Sequence, residues 1–80
     1  MHEMHLLHSL KADLLKSAEE NKVKKISKIY LRMGEFSEIN PEILKFYFEQ
    51  EGKETLFEGA EILIDPSEMR ELTLVSYDCE

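Results

Sequence analysis

Residues 24–33 read Lys-Lys-Ile-Ser-Lys-Ile-Tyr-Leu-Arg-Met, and the fold is built around this segment. Ile29, Leu31 and Met33 alternate with polar neighbours, which predicts a β-strand with one buried and one solvated face. Gly34 follows at once and is predicted to end the strand. Because the apolar face of such a strand has to be covered, the segments on either side of it determine the architecture.

Two amphipathic helices are predicted, one before and one after this strand. In the first, apolar residues recur at three- and four-residue steps from about residue 4 to residue 20, and Asn21-Lys22 closes the pattern. In the second, Asn40 is the predicted N-cap, Pro41 takes the first helical position and Gly52 is the C-terminal stop. The predicted buried stripe of the second helix consists of Ile43, Leu44, Tyr47 and Phe48. We interpret the aromatic run at residues 46–48 as core.

Two more strands are predicted, at residues 60–65 and 69–77. Between them, Asp65-Pro66-Ser67-Glu68 is a favourable type I turn sequence, which predicts that the two strands form an antiparallel hairpin. The element order is then α-β-α-β-β. We expect an α+β fold in which a three-stranded mixed sheet carries two helices on one face, and we expect residues 1–80 to form one domain.

The composition excludes several classes of function. The 80 residues carry a net charge of −7 and the pI is near 4.9, which argues against nucleic acid or an anionic membrane as a partner. We find neither a membrane-spanning run nor a signal peptide and expect a cytoplasmic protein. With one cysteine, Cys79, the sequence has no internal disulfide and no zinc ribbon built on Cys-x-x-Cys pairs.

The start of the chain holds the residues with the most distinctive chemistry. His2, His5 and His8 lie within the first eight residues, and His2 directly follows Met1. The Met1 amine, the deprotonated His2 amide and the His2 imidazole together close a five- and a six-membered chelate ring. Planar nitrogen coordination of this kind suits Ni(II) or Cu(II). The fourth ligand is either Glu3, through its amide or carboxylate, or His5.

Other interpretations of these histidines stay open. One alternative is that the terminus is a frayed segment without metal. His5 and His8 could form a side site, offer a fifth ligand to the metal, or be two solvated residues on a helix surface. An enzyme is disfavoured, because no nucleophile is placed by a known motif. Gly34, Gly52 and Gly59 also form no phosphate-binding loop.

Five segments in this order resemble the HypA/HybF family of hydrogenase nickel-incorporation proteins. They are Met1-His2-Glu3-Met4, Gly34-Glu35-Phe36-Ser37, residues 41–48, Glu58-Gly59-Ala60 and Glu68-Met69-Arg70. The resemblance implies a nickel metallochaperone that works with a maturation GTPase. It would deliver Ni(II) to the large subunit of [NiFe]-hydrogenase, and in some organisms to urease through the urease maturation proteins. It also implies that His2 is the indispensable ligand, with Met1 and Glu3 beside it.

The chain departs from the family pattern at two places. Family members carry a zinc domain with two Cys-x-x-Cys pairs between the positions of Asp65 and Glu68, and here it is missing, so we expect no zinc. Asn40 stands where the family often has an acidic residue. A second hypothesis is therefore an acidic interaction or regulatory module of the maturation machinery that makes little use of metal. Strand exchange about Pro66 would give a homodimer, so we expect either a monomer or a homodimer.

Overall fold

The computed structural model describes residues 4–80 as two helices and a three-stranded sheet. The elements are α1 (Met4–Glu20), β1 (Ile26–Met33), α2 (Pro41–Glu51), β2 (Glu61–Pro66) and β3 (Leu72–Cys79). The predicted α+β class and the order α-β-α-β-β are confirmed. Strand boundaries differ from the predicted ones by up to three residues, most at the start of β3.

The sheet order is β2-β1-β3, so the predicted β2–β3 hairpin is wrong. β1 pairs with β2 in parallel and with β3 in antiparallel orientation, which makes the sheet mixed as expected. The chain does reverse direction between β2 and β3, but β1 lies between them. The turn signal at residues 65–68 therefore predicted the reversal correctly and the strand neighbours wrongly.

The strand order has a physical cause in the connections. α2 links β1 to β2 as a crossover, and a crossover of this length joins parallel strands. β3 then pairs with the other side of β1, so that both hydrogen-bonding edges of this central strand are satisfied. A four-residue turn spans neighbouring strands only. β2 and β3 lie two strand spacings apart, about 9.6 Å, and the chain needs residues 67–71 to cross the end of β1.

The core lies between the sheet and the two helices. Ile29, Leu31 and Met33 of β1 are all buried, which confirms the predicted burial pattern. Ile26 is buried as well, although it lies three residues before Ile29, beyond an irregularity in the pairing with β3. Half-buried Ile62 of β2 and Leu74 of β3 extend this apolar face to both sides. The buried residues are Leu7, Leu10, Leu14, Ala18, Ile26, Ile29, Leu31, Met33, Ile39, Leu44, Tyr47, Phe48 and Phe57.

Two residues of α2 depart from the predictions, since Ile43 was expected in the buried stripe and Phe46 in the aromatic core. Ile43 is 38% exposed and Phe46 is 62% exposed, so neither belongs to the core. The reason is geometric: Leu44, Tyr47 and Phe48 recur at three- and four-residue steps and already fill the face that meets the sheet.

The helix ends follow the predicted signals. The Asn40 side chain accepts a hydrogen bond from the backbone N–H of Ile43 at 2.8 Å, and Pro41 begins α2. The Gly52 N–H donates to the carbonyl of Phe48. At the end of α1, Lys22 adopts a φ of 55°, and the N–H of Val23 donates to the carbonyl of Ala18, which is a Schellman motif. Over residues 4–80, neither helix combines the length and the apolarity that a bilayer crossing requires.

Candidate metal centre

The predicted metal ligands lie at the very start of the chain. Met1, His2 and Glu3 fall outside the described residues, and the predictions made for them stay predictions. His5 lies in the first turn of α1 and is exposed to solvent. Within residues 4–80, no group of three or more His, Cys, Asp or Glu side chains is arranged to hold a metal ion.

The fold determines which end of the domain carries the start of α1. The 17 residues of α1 span about 25 Å and the 8 residues of β1 about 26 Å, and a five-residue connection joins them. Near the end of α1, the Ser17 hydroxyl lies 3.0 Å from the Tyr77 hydroxyl of β3, and Tyr77 pairs with Ile29 in the first half of β1. α1 therefore runs over the sheet in the direction opposite to β1. As a result, the amino-terminal end of α1 lies near Met33, where β1 ends.

α2 begins at this same end of the sheet. Lys11 of α1 pairs with Glu51 of α2 at 2.9 Å, and His8 contacts Tyr47. Residue numbers increase in the same direction along both helices in these two contacts, so the helices run roughly parallel. Both amino-terminal helix ends, with their positive macrodipole ends, thus lie beside the carboxyl end of β1.

Two of the family-like segments meet at this end. The Gly34 N–H donates to the carbonyl of Glu71 at 2.8 Å, and the Ser67 N–H donates to the carbonyl of Met33 at 3.0 Å. The Arg70 guanidinium lies 5.1 Å from the centre of the Phe36 ring, within the range of a cation–π contact. Residues 34–36 and 67–71 are therefore packed against each other.

A glycine is required at the crossing point. A Cβ atom on Gly34 would lie 1.8 Å from the carbonyl oxygen of Met69, far inside van der Waals contact. Residues 67–71, the crossing segment, can pass over the end of β1 only because residue 34 has no side chain. The sequence pattern predicted Gly34 only as a strand stop and gave no sign of this second role.

The crossing segment is also tied together by a carboxylate. Glu71 accepts hydrogen bonds from the Ser67 hydroxyl at 2.7 Å and from the Thr73 hydroxyl at 3.1 Å. These bonds, the one from Ser67 first, hold the pKa of the Glu71 carboxyl below its ordinary value. A cleft of about 520 Å³ lies alongside, lined by Glu35, Ser67, Glu68 and Arg70.

His8 has a protein partner. Its Nδ1 lies 2.8 Å from the Tyr47 hydroxyl, and the two rings meet edge-on with centroids 5.4 Å apart. His8 is thus neither a purely solvated residue nor free to bind metal through both nitrogens. Tyr47 was not predicted as this partner, although a tyrosine in a buried stripe signals a hydroxyl that needs a hydrogen-bond partner.

The neighbouring ion pair completes the contact between the helices. A hydrogen bond from Lys11 lowers the pKa of the Glu51 carboxyl, and the same bond raises the pKa of the Lys11 ammonium. Burial, followed by the negative charge of Glu51, raises the pKa of the Tyr47 hydroxyl. Tyr47 therefore stays protonated near neutral pH and can donate to His8. These contacts fix the orientation of α1 relative to α2.

Comparison with known proteins identifies the family. A family model described as hydrogenase/urease nickel incorporation, metallochaperone, HypA, matches residues 1–79. The hydrogenase maturation factor HypA of Caldanaerobacter subterraneus subsp. tengcongensis is 40% identical over 63 residues, covering 79% of this chain and 55% of that protein. The HypA of Archaeoglobus fulgidus is 38% identical over 72 residues, covering 88% of this chain and 66% of that protein.

A solved structure agrees in fold. The solution structure of the Ni metallochaperone HypA from Helicobacter pylori superimposes with a TM-score of 0.67 at 23% identity, over 95% of this chain and 72% of that one. The chain spans between about half and two thirds of the length of the two curated relatives described above. With the match to the family model over residues 1–79, these similarities show that the chain belongs to the HypA family of hydrogenase/urease nickel-incorporation metallochaperones.

Proposed function

We propose that this chain binds Ni(II) at its amino terminus and delivers it for the maturation of [NiFe]-hydrogenase. The observation that carries the proposal is the family match, which begins at residue 1 and so includes the Met-His-Glu terminus. The metal is cargo, so the function involves no catalytic turnover. The proposed partners are a maturation GTPase, the hydrogenase large subunit and the urease maturation proteins, all in the cytoplasm.

The proposed nickel ligands are the Met1 amine, the His2 amide nitrogen and the His2 imidazole, with Glu3 or His5 in the fourth position. The amide nitrogen becomes anionic when it loses its proton. An amine of pKa about 7.7–8.0 and an imidazole of about 6.5 also have to be deprotonated, so binding should weaken in mild acid.

We further propose that residues 1–80 form the nickel-binding domain of the family and that the zinc domain is absent between residues 65 and 68. Two observations support this. The sequence contains a single cysteine, Cys79, and residues 67–71 connect β2 to β3 directly across the end of β1. We therefore expect no bound zinc.

Nickel titration of tag-free protein with an unblocked amino terminus tests the proposal. We expect one Ni(II) per chain and the absorption spectrum of a diamagnetic square-planar complex. His2→Ala and acetylation of the Met1 amine should each abolish this complex, because each removes one arm of the chelate. His5→Ala distinguishes the two candidates for the fourth position.

His8→Ala is the matched control. It also removes one imidazole from the first eight residues, but His8 is held by Tyr47 and is not a proposed ligand. It should leave the nickel affinity unchanged. If the His2→Ala or the acetylated protein binds nickel as tightly as the unmodified chain, the terminal chelate is wrong, and the acidic interaction module becomes the better hypothesis.

A further inference from the structure

His8 lies at the centre of a small group of metal-binding side chains on α1. In an α-helix the neighbours of a residue on the surface are three and four positions away, with Cβ atoms about 5–6 Å apart. For His8, the neighbours towards the start of α1 are His5 and Met4. Both are exposed, Met4 to 40%. Because helical side chains lean towards the amino terminus of the helix, the His8 side chain is directed towards these two residues.

Tyr47 of α2 holds the His8 ring in place. Its hydroxyl lies 2.8 Å from Nδ1 of His8, and the two rings meet edge-on. The two nitrogens of an imidazole point in different directions, so Nε2 is directed away from Tyr47. A metal-bound histidine usually donates its other ring N–H to an oxygen atom, which orients the ring. The Tyr47 hydroxyl is placed to be that acceptor.

We propose that Met4, His5 and His8 form a Cu(I) site on the first two turns of α1, separate from the terminal nickel chelate. The ion would bind to the Met4 thioether, the His5 imidazole and Nε2 of His8. The single proton of the neutral His8 ring would then lie on Nδ1 and be donated to the Tyr47 oxygen. This inference goes beyond the nickel proposal and does not depend on it.

The ligand set determines which ion fits. Two imidazoles and a thioether are uncharged, and the thioether is a soft donor that favours Cu(I). Zn(II) prefers four ligands in a tetrahedral site. Within residues 4–80, no third His, Cys, Asp or Glu side chain joins His5 and His8 to complete such a set. A monovalent ion that accepts three ligands therefore fits this cluster better than zinc.

Two charged residues near His8 balance each other. Lys11, one turn further along α1, pairs with Glu51 of α2 at 2.9 Å. A cation bound to His8 therefore meets a neutral pair, in a chain whose net charge of −7 attracts cations at long range.

The two sites would divide the metals by donor type. The proposed terminal chelate needs a deprotonated amide nitrogen, which binds Ni(II) and Cu(II) in a planar arrangement. Cu(I) does not displace an amide proton and prefers soft or imidazole donors. Copper in its reduced form would therefore be held on α1 and kept away from the ligands supplied by Met1 and His2.

Anaerobic titration with Cu(I), in competition with a chromogenic Cu(I) chelator, tests the inference. The full chain is used with an acetylated Met1 amine, because His5 is also a candidate nickel ligand and the terminal chelate then cannot form. It also carries Cys79→Ser, which removes an exposed thiol that would itself bind Cu(I). We expect one Cu(I) per chain.

NMR spectroscopy locates the bound ion. Ag(I) serves as a stand-in for Cu(I) that does not oxidise in air. It should shift the signals of the Met4 methyl group and of the His5 and His8 rings.

Three substitutions examine the ligands and their support. His8→Ala should abolish Cu(I) binding. Tyr47→Phe should weaken it roughly tenfold, the lower end of the range for losing a hydrogen-bond partner of a metal-bound residue. Met4→Leu should weaken it at least as much, because leucine keeps the bulk of the side chain and lacks the sulfur donor. Urea unfolding checks that each variant is folded.

Met33→Leu is the matched control. It makes the same change as Met4→Leu at a methionine that is buried in the core, where its sulfur atom cannot reach an ion on the surface of α1. Exchanging two apolar side chains of similar volume is well tolerated in a core. The Cu(I) affinity should be unchanged.

Three results would overturn the inference. One is a Cu(I) affinity that survives His8→Ala or Met4→Leu, and another is Ag(I)-induced shifts that are confined to Met69. The third is Zn(II) binding as tight as Cu(I) binding, because the cluster would then not select a soft ion. The terminal nickel chelate is blocked in these measurements, so a failure here leaves the nickel proposal standing.

Discussion

Replacing Gly34 by alanine should damage the fold more than any other single added methyl group at a glycine. The new Cβ would lie 1.8 Å from the Met69 carbonyl oxygen, where ordinary contact begins at 3.4 Å. The crossing segment would have to move by the difference, about 1.6 Å. Such a shift breaks the bond from the Gly34 N–H to Glu71 and the bond from the Ser67 N–H to Met33.

The cost follows from these contacts. Two backbone hydrogen bonds contribute about 1 kcal/mol each, and forcing an extra methyl group into a packed site costs about 1–3 kcal/mol. We therefore expect the free energy of unfolding to fall by about 3–5 kcal/mol, in a chain of this size whose total stability is on the order of 4–12 kcal/mol. The melting temperature should fall by more than about 12 °C.

Gly59→Ala is the matched control. Gly59 has no atom within 4 Å of an added Cβ, and only its φ of +74° is unfavourable for alanine. We expect a loss of about 1 kcal/mol there. Urea unfolding of both variants, with hydrogen exchange at residues 67–71, makes the comparison. A loss at Gly34 no greater than that at Gly59 would refute the close crossing over the end of β1.

Two further predictions concern the helix cap and the carboxylate of the crossing segment. Asn40→Ala should lower the free energy of unfolding by about 1 kcal/mol, because the helix loses its N-cap. Asn40→Asp should preserve the free energy of unfolding, because a carboxylate accepts the same hydrogen bond and is favoured at a helix amino terminus. Urea unfolding near pH 7 distinguishes the two variants. The pKa of Glu71, measured by NMR titration, should lie below 4.5 and return toward that value in a Ser67→Ala, Thr73→Val double variant. Because folding lowers this pKa, the ionised Glu71 carboxylate contributes fully to stability above pH 4.5, and the contribution is lost as the pH falls through the folded-state pKa. The double variant should therefore lose less stability than the unmodified chain over that acidic range.

The sequence predicted the local structure well because each element carries its own signal. Alternation in residues 24–33 specified which face of β1 is buried, and the Asn40-Pro41 cap specified the start of α2. Strand neighbours were harder to predict, since a turn signal near Pro66 reports a change of direction and carries no information about which strand lies beside which. The clue to the crossing was Gly34, but a glycine at a strand end is also expected where nothing passes over it.

The candidate metal centre was predictable only in part. The clustering of His2 and His5 at the start of the chain follows from the sequence alone, and the ligand assignments stay predictions. The engagement of His8 depends on the packing of α1 against α2, which places Tyr47 beside it. The approach of residues 34–36 to residues 67–71 likewise depends on the sheet order. Contacts between segments that are distant in sequence could be identified only from the folded structure.

The central position of β1 has a consequence for how this architecture tolerates changes in length. β2 and β3 each take their register from β1 and not from each other, so the number of residues that join them does not set the alignment of the sheet. In a hairpin, by contrast, loop length and register are coupled. The segment between Pro66 and Leu72 is therefore expected to tolerate insertions and deletions. A whole domain can be inserted or deleted there on the solvent side, provided that the chain can still pass close to the backbone of Gly34.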